Sequence, residues 1–216
     1  MLNIGETIQI ISVLAVPMLM AITFHEVAHG FVADKLGDHT ARLSGRLTLN
    51  PLSHLDLVGT LVFIMTRMIG WAKPVPVNPY NLRNPRKDMV WVAMAGPGTN
   101  LILATVSAFI YRWIDGMPVP EHKYLLMIID PLGLMVYYSV AINVGLAVFN
   151  VIPIPPLDGG RILIGVLPEK QSLQFSAIEP YGFILLIVLI MSGIVDKTII
   201  PIIHSIILIL LGGRPI

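Results

Sequence analysis

Apolar positions run along this chain in long blocks rather than in the alternating or heptad patterns of a soluble fold. Three blocks of spanning length come first, Ile8 to Val32, Met89 to Trp113 and Tyr124 to Ile152. Two more lie near the C-terminus, Ile178 to Ile194 and the shorter Ile199 to Leu211. A hydrocarbon core about 30 Å thick is crossed by about 20 helical residues, so the long blocks predict transmembrane helices. Leu55 to Ile69 is apolar but only about 15 residues long, which predicts a re-entrant or half-buried helix. Two stretches resist a helical reading. ARLSGRLTLNP, Ala41 to Pro51, alternates as a strand does, and GWAKPVPVNPYN, Gly70 to Asn81, carries Pro74, Pro76 and Pro79. Backbone of that kind at membrane depth must pair internally or line a cavity. The expectation is a small sheet or loop dipping toward the bilayer, with a free edge able to accept a peptide by strand addition; plain surface loops are the alternative. The predicted fold is an α-helical polytopic membrane protein, a bundle of about 5–6 transmembrane or re-entrant helices with a small membrane-dipping β element. It is expected to form a single domain over 1–216, with a core at 7–165 and C-terminal helices at 178–211.

Composition agrees with the pattern. The chain has 216 residues, 55% of them hydrophobic and 12% charged, and its mean hydropathy is +0.80, whereas soluble domains carry about 25% charged residues. A net charge of +1 argues against a general nucleic-acid binder. The absence of cysteine removes disulfides, thiolate ligands and thiol nucleophiles, so any metal must sit on His, Asp or Glu. The first apolar block has no basic leader and no small-residue cleavage site, and is expected to be retained. If 55–69 does not cross, Lys35, Arg42, Arg46, Arg67, Lys73, Arg83, Arg86 and Lys87 share one side, against Arg112 and Lys123 on the other. The positive-inside rule then puts the N-terminus outside and the basic loops in the cytoplasm. With that parity, the end of the first span and the sequence after Asn150 meet near the cytoplasmic face.

Chemistry is concentrated at those two places. His25 and His29 stand four residues apart, on one face of a helix, with Glu26 beside them. That spacing lets two imidazoles share one ion while a carboxylate takes a proton from water activated by it. Each ionisable group within a span costs a few kcal/mol to insert, so three together demand a role. A catalytic zinc has three protein ligands as a rule. A third candidate is Asp158, in FNVIPIPPLDGGRIL, where prolines break a helix and two glycines permit a sharp return of the chain. A helix cap is the other reading of Asp158.

These motifs resemble the site-2 protease family of intramembrane metalloproteases. The family pattern His-Glu-x-x-His is met by His25-Glu26-Val27-Ala28-His29, and Asn-x-x-Pro-x-Pro-x-Leu-Asp-Gly by the run from Asn150 to Gly159, both without departure. NPLSHLDLVGTL from Asn50, the GWAKPVPVNP loop and AGPGTN from Ala95 are also similar to bacterial members, so the likeness extends from His25 to Arg161. The resemblance implies that His25, His29 and Asp158 bind zinc, that Glu26 is the general base, and that Asn150 holds the substrate strand or the oxyanion. It implies a zinc endopeptidase that cuts a transmembrane segment of a single-pass membrane protein within the bilayer, an anti-sigma factor or similar regulator in many bacteria. The chain is expected to lack the PDZ and nucleotide-binding domains of larger members, and self-association is left open. A non-hydrolytic metal-binding scaffold or transporter is the competing class, distinguished by whether Glu26 is needed. His54 beside Asp56 reads as a half-exposed loop residue, His39 and His122 as solvated, and His204 as packed or at an interface. Asn100 reads as a helix-bonding residue.

Overall fold

The first apolar block forms α1, Ile4–Lys35, in a computed structural model that describes residues 4–66, 71–118 and 122–213. α1 closes where the chain turns at Gly37, whose φ of 113° suits glycine. The next helices are short, α2 at Thr40–Leu43 and α3 at Leu57–Thr66. α3 has 10 residues, about 15 Å of helix and half of what a bilayer core requires. Residues 67–69 of that block, Arg67 among them, lie outside the described residues.

α4, Pro85–Asp115, and α5, Lys123–Asn150, are the long central helices. Pro85 opens α4 at its first turn, where its missing N–H is no loss, and the Asp88 carboxylate accepts from the Asn84 amide at 2.8 Å. α4 packs against α1, α5 and α6, the last at Asp158–Val166. Small residues let it approach: Ala104 and Ala108 meet Val140 and Val144 of α5, and Ile207 and Leu211 complete the cluster. α7 (Glu169–Ser176) and α8 (Gly182–Met191) follow, and a single π turn, Val195–Ile199, leads into α9, Ile200–Leu210. α8 starts against the site region. A Cβ on Gly182 would stand 2.1 Å from the Pro155 carbonyl oxygen, and Phe183 meets Trp71 edge-on at 6.4 Å between ring centroids.

Among the described residues four helical runs are long and apolar enough to cross a membrane: Ser12–Lys35, Pro85–Asp115, Tyr124–Asn150 and Glu169–Met191. The first three match the long blocks of the sequence. The fourth begins at Glu169 rather than Ile178, because the polar helix α7 runs on into α8 through one tight turn at Glu179–Tyr181.

Among the described residues there is no sheet. Leu55 and Ala72 form one isolated antiparallel bridge. The alternating stretch from Ala41 opens within α2 and then runs on without regular structure to a 3₁₀ turn at Pro51–His54. Alternation alone does not make a strand where no partner edge lies alongside, and prolines 74, 76 and 79 remove the donors that a ladder with the second stretch would use.

Side chains hold that second stretch in place instead. Arg46 donates from Nη2 to the Lys73 and Pro74 carbonyls at 2.8 and 3.2 Å. Asp38, fully buried, accepts from the Asn78 amide at 2.7 Å and from Asn81 Nδ2 at 2.9 Å. Burial raises the Asp38 carboxyl, and the bonds from Thr40, Asn81 and Asn78 outweigh it, leaving the group below its ordinary value. A depressed carboxyl stabilises the fold above its unfolded value and ceases to as pH falls through the folded one. Acidification below the ordinary carboxylate range is therefore expected to free residues 78–81, and Asp38→Asn to free them at neutral pH. Amide hydrogen exchange at Asn78 and Asn81 checks both.

Candidate metal centre

α1 is anchored in its C-terminal third by two imidazoles whose outer nitrogens are already committed. His25 Nδ1 donates to Asn100 Oδ1 at 2.6 Å, and His29 Nδ1 donates to the Val92 carbonyl at 2.7 Å. A carbonyl can only accept, so the proton of His29 is on Nδ1. The Asn100 amide nitrogen faces two acceptors, Asn143 Oδ1 at 2.8 Å and the Ala21 carbonyl at 3.2 Å, so its oxygen faces His25 and the same tautomer results. Both Nε2 atoms are left as lone pairs pointing inward.

Asp158 arrives from α6. It is the first residue of that helix, Leu157 holds the cap position, and no side chain caps the end. Its carboxylate is therefore free for the interior. Gly159 and Gly160 make this approach possible, since a Cβ on either would lie 2.1 Å from the Val151 oxygen or 2.6 Å from the Pro155 nitrogen. Asp158 Oδ2 stands 3.2 Å from His25 Nε2 and 3.3 Å from His29 Nε2, and the two Nε2 atoms are 3.0 Å apart.

Three electron-rich atoms thus converge, each buried, with Asp158 Oδ2 lacking a hydrogen-bond partner. Lone pairs at that separation repel unless a cation sits among them. The donor set of two neutral imidazoles and one carboxylate, without thiolate, suits zinc. Space for the rings is made by Gly96 of α4, whose substitution would put a Cβ 2.5 Å from His29 Nε2 and 2.6 Å from His25 Cε1.

A cleft of about 130 Å³ opens beside the three donors, lined by Glu26, Pro74, Val75, Val77, Asn150, Pro156 and Arg161. Glu26 Oε2 accepts from the Val75 amide at 2.8 Å. Gly30 lets the 74–77 segment lie this close to α1, because a Cβ there would stand 2.7 Å from Val75 Cγ1. Asn150, which also lines the cleft, donates from Nδ2 to the Leu146 carbonyl at 2.9 Å. The five residues singled out by sequence, His25, Glu26, His29, Asn150 and Asp158, all border this one space.

The profile of peptidase family M50 matches residues 13–192. The chain belongs to peptidase family M50. Among its relatives in this family, YwhC of Bacillus subtilis (strain 168) is 38% identical over 196 residues, 89% of this chain and 86% of YwhC. Rip2 of Mycolicibacterium smegmatis is 30% identical over 184 residues, 83% of this chain and 66% of Rip2. Rip2 of Mycobacterium tuberculosis (strain H37Rv) is 28% identical over 203 residues, 87% and 72% of the two chains. All three carry zinc metalloprotease names. No solved structure matches. As an M50 peptidase of the site-2 protease type, this multi-pass membrane protein is a zinc metalloprotease, and its His–His–Asp group is positioned to bind the metal.

Other M50 features were hidden from sequence reasoning. His54 is not half-exposed but 1% exposed, with Nε2 donating to the Thr48 carbonyl at 2.8 Å. Its own carbonyl accepts from the Lys73 amide at 2.9 Å, so it braces the segment that lines the cleft. A histidine between Pro51 and Asp56 signals a loop; only the fold reveals that α1 covers it. His39, His122 and His204 are exposed, and His39 bonds Asp34 at 2.8 Å.

Two glycines two residues apart on α4, and so on different faces of it, provide a contrast. Gly96→Ala is expected to drive a methyl group into both rings and abolish stoichiometric zinc in purified protein. Gly98→Ala, with nothing within 4 Å of its built Cβ, is expected to keep it. Metal analysis of the two variants reads the difference.

Proposed function

We propose that this protease cleaves a transmembrane segment of a single-pass membrane protein, at a site near the cytoplasmic face, with His25, His29 and Asp158 as zinc ligands and Glu26 as general base. The observation that carries this reading is the Glu26 carboxylate beside three convergent donors on one cleft, bonded to an extended segment of the chain. Zinc held there lowers the pKa of a bound water and polarises a carbonyl. Glu26 Oε2 is held by the Val75 amide, so Oε1 is the oxygen that takes the proton of the attacking water and delivers it to the leaving peptide nitrogen. Asn150, with Nδ2 on the Leu146 carbonyl, offers Oδ1 to a substrate N–H and so holds the peptide being cut.

A helical substrate hides its carbonyls in its own hydrogen bonds and must unwind to be attacked. Val75 and Val77 line the cleft. Among the described residues the Val75 carbonyl and both backbone polar groups of Val77 make no hydrogen bond. They are available to replace bonds lost on unwinding, as an added strand would require. Cytoplasmic placement of the site rests on charge. Lys35, Arg42, Arg46, Lys73, Arg83, Arg86 and Lys87 lie on the segments that follow α1 and precede or open α4, as the positive-inside rule asks of a cytoplasmic face.

Co-expression with a panel of tagged single-pass membrane proteins tests the reading. The wild type is expected to cut a panel member inside its apolar segment. Glu26→Gln should retain about one zinc per chain and cut about 10²–10⁴-fold more slowly. Equal cleavage by both forms would remove Glu26 from the chemistry, and cleavage confined to soluble loops would remove the intramembrane assignment.

A further inference from the structure

The tautomer of His25 is secured differently from that of His29. His29 leans on a backbone carbonyl, which cannot turn round. His25 leans on a side-chain amide, which can: rotated by half a turn, Asn100 would offer N–H to Nδ1, and the ring proton would move to Nε2 and fill the lone pair aimed at the metal. Some group must therefore hold Asn100.

That group is on α5. Asn143, 1% exposed, accepts from Asn100 Nδ2 at 2.8 Å, closer than the Ala21 carbonyl at 3.2 Å. Its own amide is oriented in turn, with Nδ2 donating to the Ser139 carbonyl at 2.8 Å and lying 3.3 Å from Ser139 Oγ. Ser139 Oγ pairs with Ser107 Oγ of α4 at 2.8 Å. The order of orientations thus starts at a backbone carbonyl, which can only accept, and passes through Asn143 and Asn100 to the imidazole. All of these residues are in spanning helices, where polar side chains are costly to bury and a water substitute is scarce.

We propose that Asn143 is a positioning residue for the metal centre, fixing the Asn100 amide and through it the His25 ring nitrogen that faces zinc. The inference rests on the zinc-ligand assignment above. A residue that merely glued α4 to α5 would affect stability and leave metal affinity alone.

The test uses the full chain in detergent micelles, with zinc titrated against a chromophoric chelator and Co²⁺ absorption recorded as a second measure of ligand geometry. Asn143→Leu is expected to weaken zinc binding about 10-fold, at the lower end of what outer groups around a metal contribute, and to alter the Co²⁺ bands. Asn143→Asp, whose neutral carboxyl presents C=O to Asn100 and O–H to the Ser139 carbonyl, should restore both. Ser107→Ala, at the far end of the line, should leave both unchanged. A folded Asn143→Leu protein that binds zinc as the wild type does overturns the proposal. Failure of the wild type to bind zinc would instead overturn the ligand assignment. If Asn143→Leu does not fold, Asn143→Ala carries the same expectation. ¹⁵N NMR of the zinc-loaded wild type decides without any variant: the proposal requires His25 bound through Nε2 with its proton on Nδ1, and ligation through Nδ1 ends it.

Discussion

Three lone-pair-bearing atoms held at 3.0 to 3.3 Å from one another inside an apolar bundle constitute the constraint that organises this protein. Left to themselves they would separate, since their mutual repulsion is poorly screened away from water. The fold holds them from behind: the Val92 carbonyl and Asn100 hold the two rings, and the Gly159 and Gly160 contacts hold the carboxylate. Both ring supports come from α4 and the carboxylate's from α6, so the approach of α1, α4 and α6 is recorded in the spacing of the donors. The missing Cβ of Gly96 is the steric counterpart of that electrostatic arrangement. Close packing of small residues between α4 and α5 then serves the site as well as the bundle, because it fixes the depth at which Asn100 meets Asn143.

A second consequence concerns the segment from Ala72 to Asn78. It is tethered by four side chains or backbone groups outside itself: His54 at Lys73, Arg46 at Lys73 and Pro74, Glu26 at Val75 and Asp38 at Asn78. One of these tethers is the carboxylate assigned to proton transfer. Movement of the segment and orientation of Glu26 are therefore mechanically linked, and a peptide that displaced Val75 would also release the carboxylate oxygen it holds.

Much of this was legible in the residues. Long apolar blocks marked the central helices, spacing and the cost of placing such groups in a span marked His25, Glu26 and His29, the proline and glycine break marked Asp158, and the family resemblance marked Asn150. What the sequence did not reveal was orientation about helix axes. Asn100 stood out as a polar residue in an apolar run, but its partner on α5 depends on how two helices rotate against each other, a tertiary quantity. A faint signal existed: Ser139 and Asn143 are four apart, and Asn100 and Ser107 seven apart, so each pair shares a helix face. The stretch from Ala41 misled for the opposite reason. Its alternation is local, whereas a strand is defined by a neighbour it does not have. His54 read as a half-exposed loop residue because the packing of its turn against α1 is a tertiary contact that leaves nothing periodic in the sequence.

The prolines at 74 and 76 have a meaning that emerges from simple accounting of amides. Of the five positions from Pro74 to Asn78, two carry no N–H at all. Val75 has spent its own on Glu26 and Asn78 on Asp38, so among the described residues Val77 alone has a donor left. An edge with a single donor can register one visiting peptide but cannot propagate a ladder. Exposed backbone beside a catalytic cleft would otherwise invite stacking between copies of the chain; here the protein remains open to a guest while being sterile as a template for itself.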